Sequence, residues 1–341
     1  MSVDVLGMSL PDLVREGCES VVAESRFVSI DDTALRSFAH TIATPSEGDA
    51  WGAWHFDADA AVGGPLTAQY VFVLDALNFC FWPSDSGAQY DALAAGLRAA
   101  LLADPEALSA ATLSRATPTT VAGWVAAPHT LPFLETRAAR VRELGRGLAA
   151  RYGGLAANAV VAARGSVAAL ATLIAEMCPG FRDEAVYVGK DGAPRLIPFY
   201  KRAQILVGDV WVAYGRQTAR KPHATGADAA SSSLPLGAFY DIDALTAFAD
   251  YRLPQLLRAR GVIVYVPELA EAVDAKDELT HGSPQEVEIR AATVVVVERI
   301  KRELGGRVTA VELDHRLWHE GEKLARAGKL APHHRVRTVF Y

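Results

Sequence analysis

The sequence predicts a mainly α protein, a single large helical domain over residues 1–341 with minor β elements. Two observations carry this expectation. Apolar residues recur at spacings of three and four along most of the chain, the period of a helix face. Short β-branched runs are few, and they do not alternate with helices as a doubly wound sheet requires. With 50% apolar and 22% charged residues the chain has the balance of a globular protein, so a sizeable core is available.

Near the N-terminus Arg26 to Ile30 reads as a strand, and Tyr70 to Val73 fits either a strand or a helix. The Ala-rich run Leu93 to Leu102, then Leu134 to Tyr152 and Ser166 to Met177, carry helical periodicity and high helix propensity. Glu184 to Val188 and Val262 to Val266 read as strands, and Leu196 to Tyr214 and Ile242 to Ala249 as helices. From Pro284 to Leu304 an amphipathic helix is expected, with Val287, Ala291, Val294, Val297 and Ile300 on one stripe and Glu288, Arg290, Glu298 and Lys301 between them. Ser283-Pro284 starts it and Gly305-Gly306 stops it. Val311 to Ala327 gives a further helix. Residues 218–235 are small and polar, with a proline near each end, and read as a flexible surface loop, either a lid or a solvent insertion.

Composition narrows the function classes. A formal charge of −6 and a pI near 5.9 provide no global positive field for a nucleic-acid backbone, so a small anionic ligand must find local cations. Cys18, Cys80 and Cys178 form no CxxC pair and cannot all be joined internally, which fits a reducing compartment and argues against a cysteine zinc site. The first residues lack a basic segment followed by an apolar core, and apolar runs such as Val294 to Val297 are too short for a bilayer. A cytoplasmic protein without membrane contact is the expectation. There is no glycine-rich dinucleotide or phosphate loop, no nucleophile elbow and no HExxH motif. His315 and His319 stand four apart with Asp314 and Glu320 nearby, but no third ligand at recognisable spacing joins them, so neither metal nor cofactor is expected.

The informative stretches are five clusters that mix aromatics with carboxylates and basic residues: Leu74 to Trp82 (LDALNFCFW), Phe199 to Trp211 (FYKRAQILVGDVW), Phe248 to Gln255 (FADYRLPQ), Glu286 to Arg290 (EVEIR) and Pro332 to Tyr341 (PHHRVRTVFY). In this order and spacing they resemble the queuosine salvage family, the queuosine-phosphate N-glycosidases, from about the first forty residues to the last. The resemblance implies a largely helical fold similar to DNA glycosylases. It also implies cleavage of the bond between queuine and ribose 5′-phosphate, with queuosine 5′-phosphate and queuine as small-molecule partners and no direct nucleic-acid binding.

Chemistry assigns expected roles within these clusters. Cleavage passes through an oxocarbenium-like sugar, so a carboxylate beneath the anomeric carbon is the main requirement. Asp250 is the catalytic candidate, in the family's Phe-Ala-Asp-Tyr-Arg motif; its position should halt a helix, and the alternative is a cap for a helix beginning after Pro254. Queuine is a 7-deazaguanine and lacks the ring nitrogen that ordinary purine hydrolases protonate, which places more demand on the sugar side. Asp75, Asn78 and Asp209 suit the guanine-like edge or the cyclopentenediol. Glu286 and Glu288 suit the cationic secondary amine, or else form a salt-bridged helix start with Arg290. Phe79, Phe81, Trp82 and Trp211 are candidates for stacking on the base, with core packing as the alternative. Lys201 leads the candidates for the 5′-phosphate, with Arg252 in the Asp250 motif and His333, His334 and Arg335 in the tail; Tyr251, in the same motif, is a further substrate-binding candidate. The alternative for His334 and Arg335 is binding to carboxylates of the body. His55, between aromatics, is a weaker candidate. Two other functions fit the same residues: another purine nucleoside (phosphate) hydrolase or phosphorylase, and a non-catalytic queuine-binding protein.

Overall fold

Helix starts in this chain are written locally. Ser9 caps the first helix, Asp31 accepts the amides of Thr33 and Ala34, Ser283 precedes a proline-led helix, and Thr309 with Glu312 forms a capping box. The computed structural model describes residues 7–42, 55–82, 89–125, 127–190, 192–220 and 234–341. In chain order the elements are α1 (Leu10–Glu24), β1 (Val28–Ile30), α2 (Asp32–Thr41), α3 (Pro65–Leu77), α4 (Gln89–Ala103), α5 (Ala110–Ser114), α6 (Pro118–Gly123), α7 (Leu134–Tyr152), α8 (Ala156–Ala162), α9 (Val167–Met177), β2 (Glu184–Val188), β3 (Pro194–Pro198), α10 (Lys201–Ala213), α11 (Arg252–Ala259), β4 (Ile263–Tyr265), α12 (Pro267–Asp274), α13 (Pro284–Glu303) and α14 (Ala310–Arg326). The fold is mainly α, as expected. Two antiparallel pairs supply the β structure, β1 with β4 and β2 with β3.

The chain divides into two compact units, each built from discontinuous segments. The first contains Met1–Asp49, Asp183–Lys201 and Leu245–Tyr341. Its centre is α13, which packs against α1, α2, α11, α14 and both β1 and β2. Every residue from Glu286 to Glu298 is buried, so the polar face expected of an amphipathic helix lies inside and its charges need internal partners. Leu35, Leu253, Leu256, Ile289, Val296 and Leu313 are among the side chains that form the apolar cluster around it.

The second unit contains Ala50–Arg182 and Arg202–Ala244. Here α3 is central: all its residues from Thr67 to Leu77 are buried, which settles Tyr70 to Val73 as helix. Two buried arginines satisfy the carbonyls that α3 leaves open at its end. Arg202 donates to the oxygens of Asp75 and Ala76 at 3.2 and 2.8 Å, while Arg137 donates to those of Leu77, Phe79 and Cys80, the last at 3.0 Å.

Two helix assignments need correction. Leu196 to Tyr214 is not one helix, because Pro194 and Pro198 bound strand β3 and the helix starts only at Lys201. Ile242 to Ala249 holds only a 3-10 turn at Ile242–Ala244. Beyond it the backbone bonds to distant side chains, with the Phe248 amide donating to Asp314 Oδ2 at 2.7 Å and the Ala249 oxygen accepting from Arg290 Nε at 3.2 Å. Of the loop expected at 218–235, residues 221–233 lie outside the described residues.

Candidate active site

Asp250 sits between this irregular segment and α11. It does not halt a helix; it starts one, since Oδ1 accepts the amides of Arg252 and Leu253 at 2.8 and 3.0 Å. The helix begins at Arg252, with Pro254 in its first turn rather than before it. Capping and catalysis are compatible here, because two amides hold one oxygen and orient the other. The residue is 8% exposed. Its neighbour Arg252 is committed to the protein: Nε donates to Glu322 Oε1 at 2.7 Å and NH1 donates to Gln255. Tyr251 stacks on His333 with ring centroids 4.4 Å apart.

Lys201 opens α10 from a strained turn. Asp183 organises that turn, its carbonyl accepting the amides of Phe199 and Tyr200 and its Oδ2 accepting the Lys201 amide at 3.2 Å. Tyr200 adopts a left-handed φ of 49° and donates its hydroxyl to Glu184. The Lys201 side chain is 4% exposed, and among the described residues no hydrogen bond or ion pair reaches its ammonium.

Near Lys201 and Asp250 lies Asp314 of α14, which the sequence marks only as a neighbour of His315. Burial first, then the Asp250 carboxylate, pushes its carboxyl up to about 7, against the Phe248 amide, His315 and Lys201. Among the described residues no group of three or more His, Cys, Asp or Glu side chains is placed to hold a metal ion.

The other charged candidates of this unit face inward. Arg290 pairs with Asp183 through two bonds of 2.9 and 2.6 Å, lies 3.5 Å from Glu286, and is covered by the rings of Phe199 and Tyr341. Burial opposes its charge, and Asp183 followed by Glu286 more than offsets that. Glu288 accepts the amides of Arg26, Phe27 and Val28 on one oxygen and the Tyr187 hydroxyl on the other, which ties β1 and β2 to α13. Its bonds are those of an internal anchor. His334 is buried and close to Tyr341, and burial, then His333 and Arg290, pull its imidazole down to about 3. Arg335 pairs with Glu278 through an isolated backbone bridge, which bears on neither reading of its side chain; the Glu278 carboxylate pairs with Arg337.

In the second unit the arginine-held end of α3 fixes Asp75 and Asn78, whose side chains meet at 3.1 Å. Phe79, 1% exposed, lies beneath the guanidinium groups of Arg137 and Arg202 at 4.3 and 5.1 Å, a core position. Trp82 is buried beside it in sequence, and Phe81 packs edge-on to Tyr90. Tyr90, which lies outside the five sequence clusters, meets His55 Nε2 at 3.1 Å. Burial and then the carboxylates of Asp209 and Asp75 raise its phenol well above the ordinary value, which groups His55, Tyr90, Asp75 and Asp209 in one neighbourhood. Trp211 is buried, and its indole Nε1 has no hydrogen-bond partner among the described residues.

Fold and side chains together define a class: a mainly helical protein whose first unit holds a carboxylate fixed by backbone amides, a raised buried carboxyl and a buried lysine. Comparison with known proteins narrows it further. A family profile described as queuosine salvage protein matches residues 58–341. A protein of Dictyostelium discoideum named queuosine 5′-phosphate N-glycosylase/hydrolase is 38% identical, over 96% of this chain and 98% of its own. Proteins of that name from Sphaerobacter thermophilus and Mus musculus are 39% and 31% identical, over 94% and 98% of this chain and 95% and 100% of their own. The chain belongs to the queuosine salvage protein family.

Proposed function

We propose that this chain hydrolyses the N-glycosidic bond of queuosine 5′-phosphate, with Asp250 as the sugar-side carboxylate and Lys201 as the phosphate contact. The bond from C1′ to the base breaks, water supplies the oxygen that ends on C1′, and the departing queuine takes a proton. The observation that supports the reading is a carboxylate fixed by two backbone amides at Asp250, in the same compact unit as a lysine, Lys201, that is only 4% exposed. One group suits a phosphate and the other suits the positive charge that develops on the sugar. The names of the relatives at 38% and 39% identity support the same substrate.

On the base side, Asp75, Asn78 and Asp209 suit the polar edges of a deazaguanine, and Trp211 retains an indole donor for it. A free nucleotide rather than nucleic acid is the substrate, which the formal charge of −6 supports. Three free cysteines support a reducing, cytoplasmic setting; no described helix is long and apolar enough to cross a membrane.

Asp250→Asn tests the chemical assignment because it keeps size and acceptor while removing charge. Its single-turnover rate should fall by roughly a hundredfold or more with substrate affinity largely retained, as for an interaction that strengthens in the transition state. A folded variant that cleaves within about tenfold of wild type removes Asp250 from the step.

A further inference from the structure

The two stretches that carry Lys201 and Asp250 lack a regular backbone to hold them. The turn before Lys201 has Tyr200 at a left-handed φ of 49°, and the chain from Leu245 to Asp250 forms neither helix nor strand. Their buried backbone groups therefore need partners from elsewhere. One side chain serves both stretches. Arg290 of α13 donates Nε to the Ala249 oxygen at 3.2 Å, one residue before Asp250, and its two other nitrogens donate to the Asp183 carboxylate at 2.9 and 2.6 Å. Asp183 in turn accepts the Lys201 amide on Oδ2 at 3.2 Å, and its carbonyl takes the amides of Phe199 and Tyr200. A single buried guanidinium thus reaches the backbone beside both candidates, directly on one side and through Asp183 on the other. The rings of Phe199 and Tyr341 pack on it, with centroids 4.0 and 4.4 Å from its central carbon. All of these residues belong to the first unit.

Energy alone does not account for such an arrangement. Taking two charges out of water costs about as much as their attraction returns, and apolar residues of similar volume often stabilise a core as well. What the guanidinium supplies is geometry, because donors fixed in one plane set the spacing of the oxygens they bind. We propose that Arg290 is a positioning residue for the reaction, acting through Ala249 and Asp183 to hold Asp250 and Lys201 at the separation that a sugar phosphate requires. This rests on Asp250 and Lys201 having the roles proposed above. A lysine in its place keeps a charge beside Asp183, but its single nitrogen cannot serve the Ala249 oxygen and both Asp183 oxygens in the same geometry.

The test is a pair of double-mutant cycles with queuosine 5′-phosphate in single turnover, reading the saturating rate and the half-saturating concentration separately. Alone, Arg290→Lys should lower the rate by roughly tenfold or more and raise the half-saturating concentration by roughly threefold or more, as for reacting groups slightly displaced. In the Asp250→Asn background the rate loss should shrink to less than about threefold, and in the Lys201→Ala background the concentration shift should largely vanish, because the group being positioned is gone. Folding of each variant is checked by circular dichroism and denaturant unfolding. Should Arg290→Lys fail to fold, Asp183→Asn goes through the same cycles with the same expectations, since it keeps an acceptor for the Lys201 amide and gives up a charged bond to Arg290. If Asp250→Asn or Lys201→Ala by itself behaves like wild type, the assignment of that residue falls, and the proposal with it. If both single variants are impaired as expected, the link itself is on trial. A merely structural arginine would change rate and half-saturation by the same factors in every background, so a loss that persists undiminished in either cycle overturns the proposal.

Discussion

At the scale of single residues, Asp314 and His334 act on stability with opposite signs. The Asp314 carboxyl rises from 3.8 to about 7 in the fold, so the folded state holds a proton that the unfolded chain releases. Its contribution is fully present below about pH 4 and is lost as pH rises through 7, at roughly 1.4 kcal/mol per pKa unit. His334 falls from 6.5 to about 3, so its contribution is present above pH 6.5 and is lost as pH falls through 3. The two slopes oppose each other across their shared window, and Asp314→Asn removes only the one from Asp314. Denaturant unfolding should therefore show that Asp314→Asn loses less stability than wild type between about pH 6.5 and 8; equal losses would contradict a raised carboxyl. Lys201→Ala should weaken the phosphorylated substrate by roughly 1.5–3 kcal/mol and the bare nucleoside less, and equal losses in KM would show that Lys201 does not read the phosphate. Asp250 and Lys201 stand out in the sequence because each lies in a run of unusual residues. Asp314 does not, since its proton affinity comes from burial and from a neighbour distant in sequence.

At the scale of elements, caps and proline placement made most helix boundaries readable, as at Ser283-Pro284 and Thr309 with Glu312. The misread elements are those whose backbone bonds outside its own neighbourhood. Residues 245–251 have enough apolar positions for a helix, yet Asp314 and Arg290 take their amide and carbonyl groups. Helix α13 looked half exposed because a stripe with charges between is the usual mark of a surface helix, whereas here Asp183 and Tyr341 receive the charges inside. Arg290→Met should then cost about 3–5 kcal/mol in chemical denaturation, because Asp183 is left charged and buried. Adding Asp183→Leu should restore part of the loss, whereas a loss below about 1 kcal/mol in the single variant would show the pair to be dispensable. Thr309→Ala, which removes one half of a capping box on the helix that carries Asp314, should cost about 1 kcal/mol.

At the scale of the whole molecule, the mainly α class was legible from periodicity, and the division into two interleaved units was not. Of the four crossings, the one at 49/50 follows Pro45, Ser46 and Gly48, but those at 182/183, 201/202 and 244/245 carry no Gly- or Ser-rich linker, and one of them lies within the cluster that contains Lys201. Each unit brings its own candidates together: Lys201, Asp250 and Asp314 in the first, and His55, Asp75, Asn78, Tyr90 and Asp209 in the second. Members of the first set suit a sugar phosphate, and members of the second suit a polar base. The central claim is that this chain hydrolyses queuosine 5′-phosphate. The direct measurement incubates the wild-type protein, in buffer free of inorganic phosphate and with chelator present, with queuosine 5′-phosphate, queuosine and guanosine 5′-phosphate, and follows free base by mass. Queuine should appear with ribose 5-phosphate, fastest from queuosine 5′-phosphate, with no guanine from guanosine 5′-phosphate. Binding without turnover, turnover only when inorganic phosphate is added, or equal release from guanosine 5′-phosphate would contradict the account.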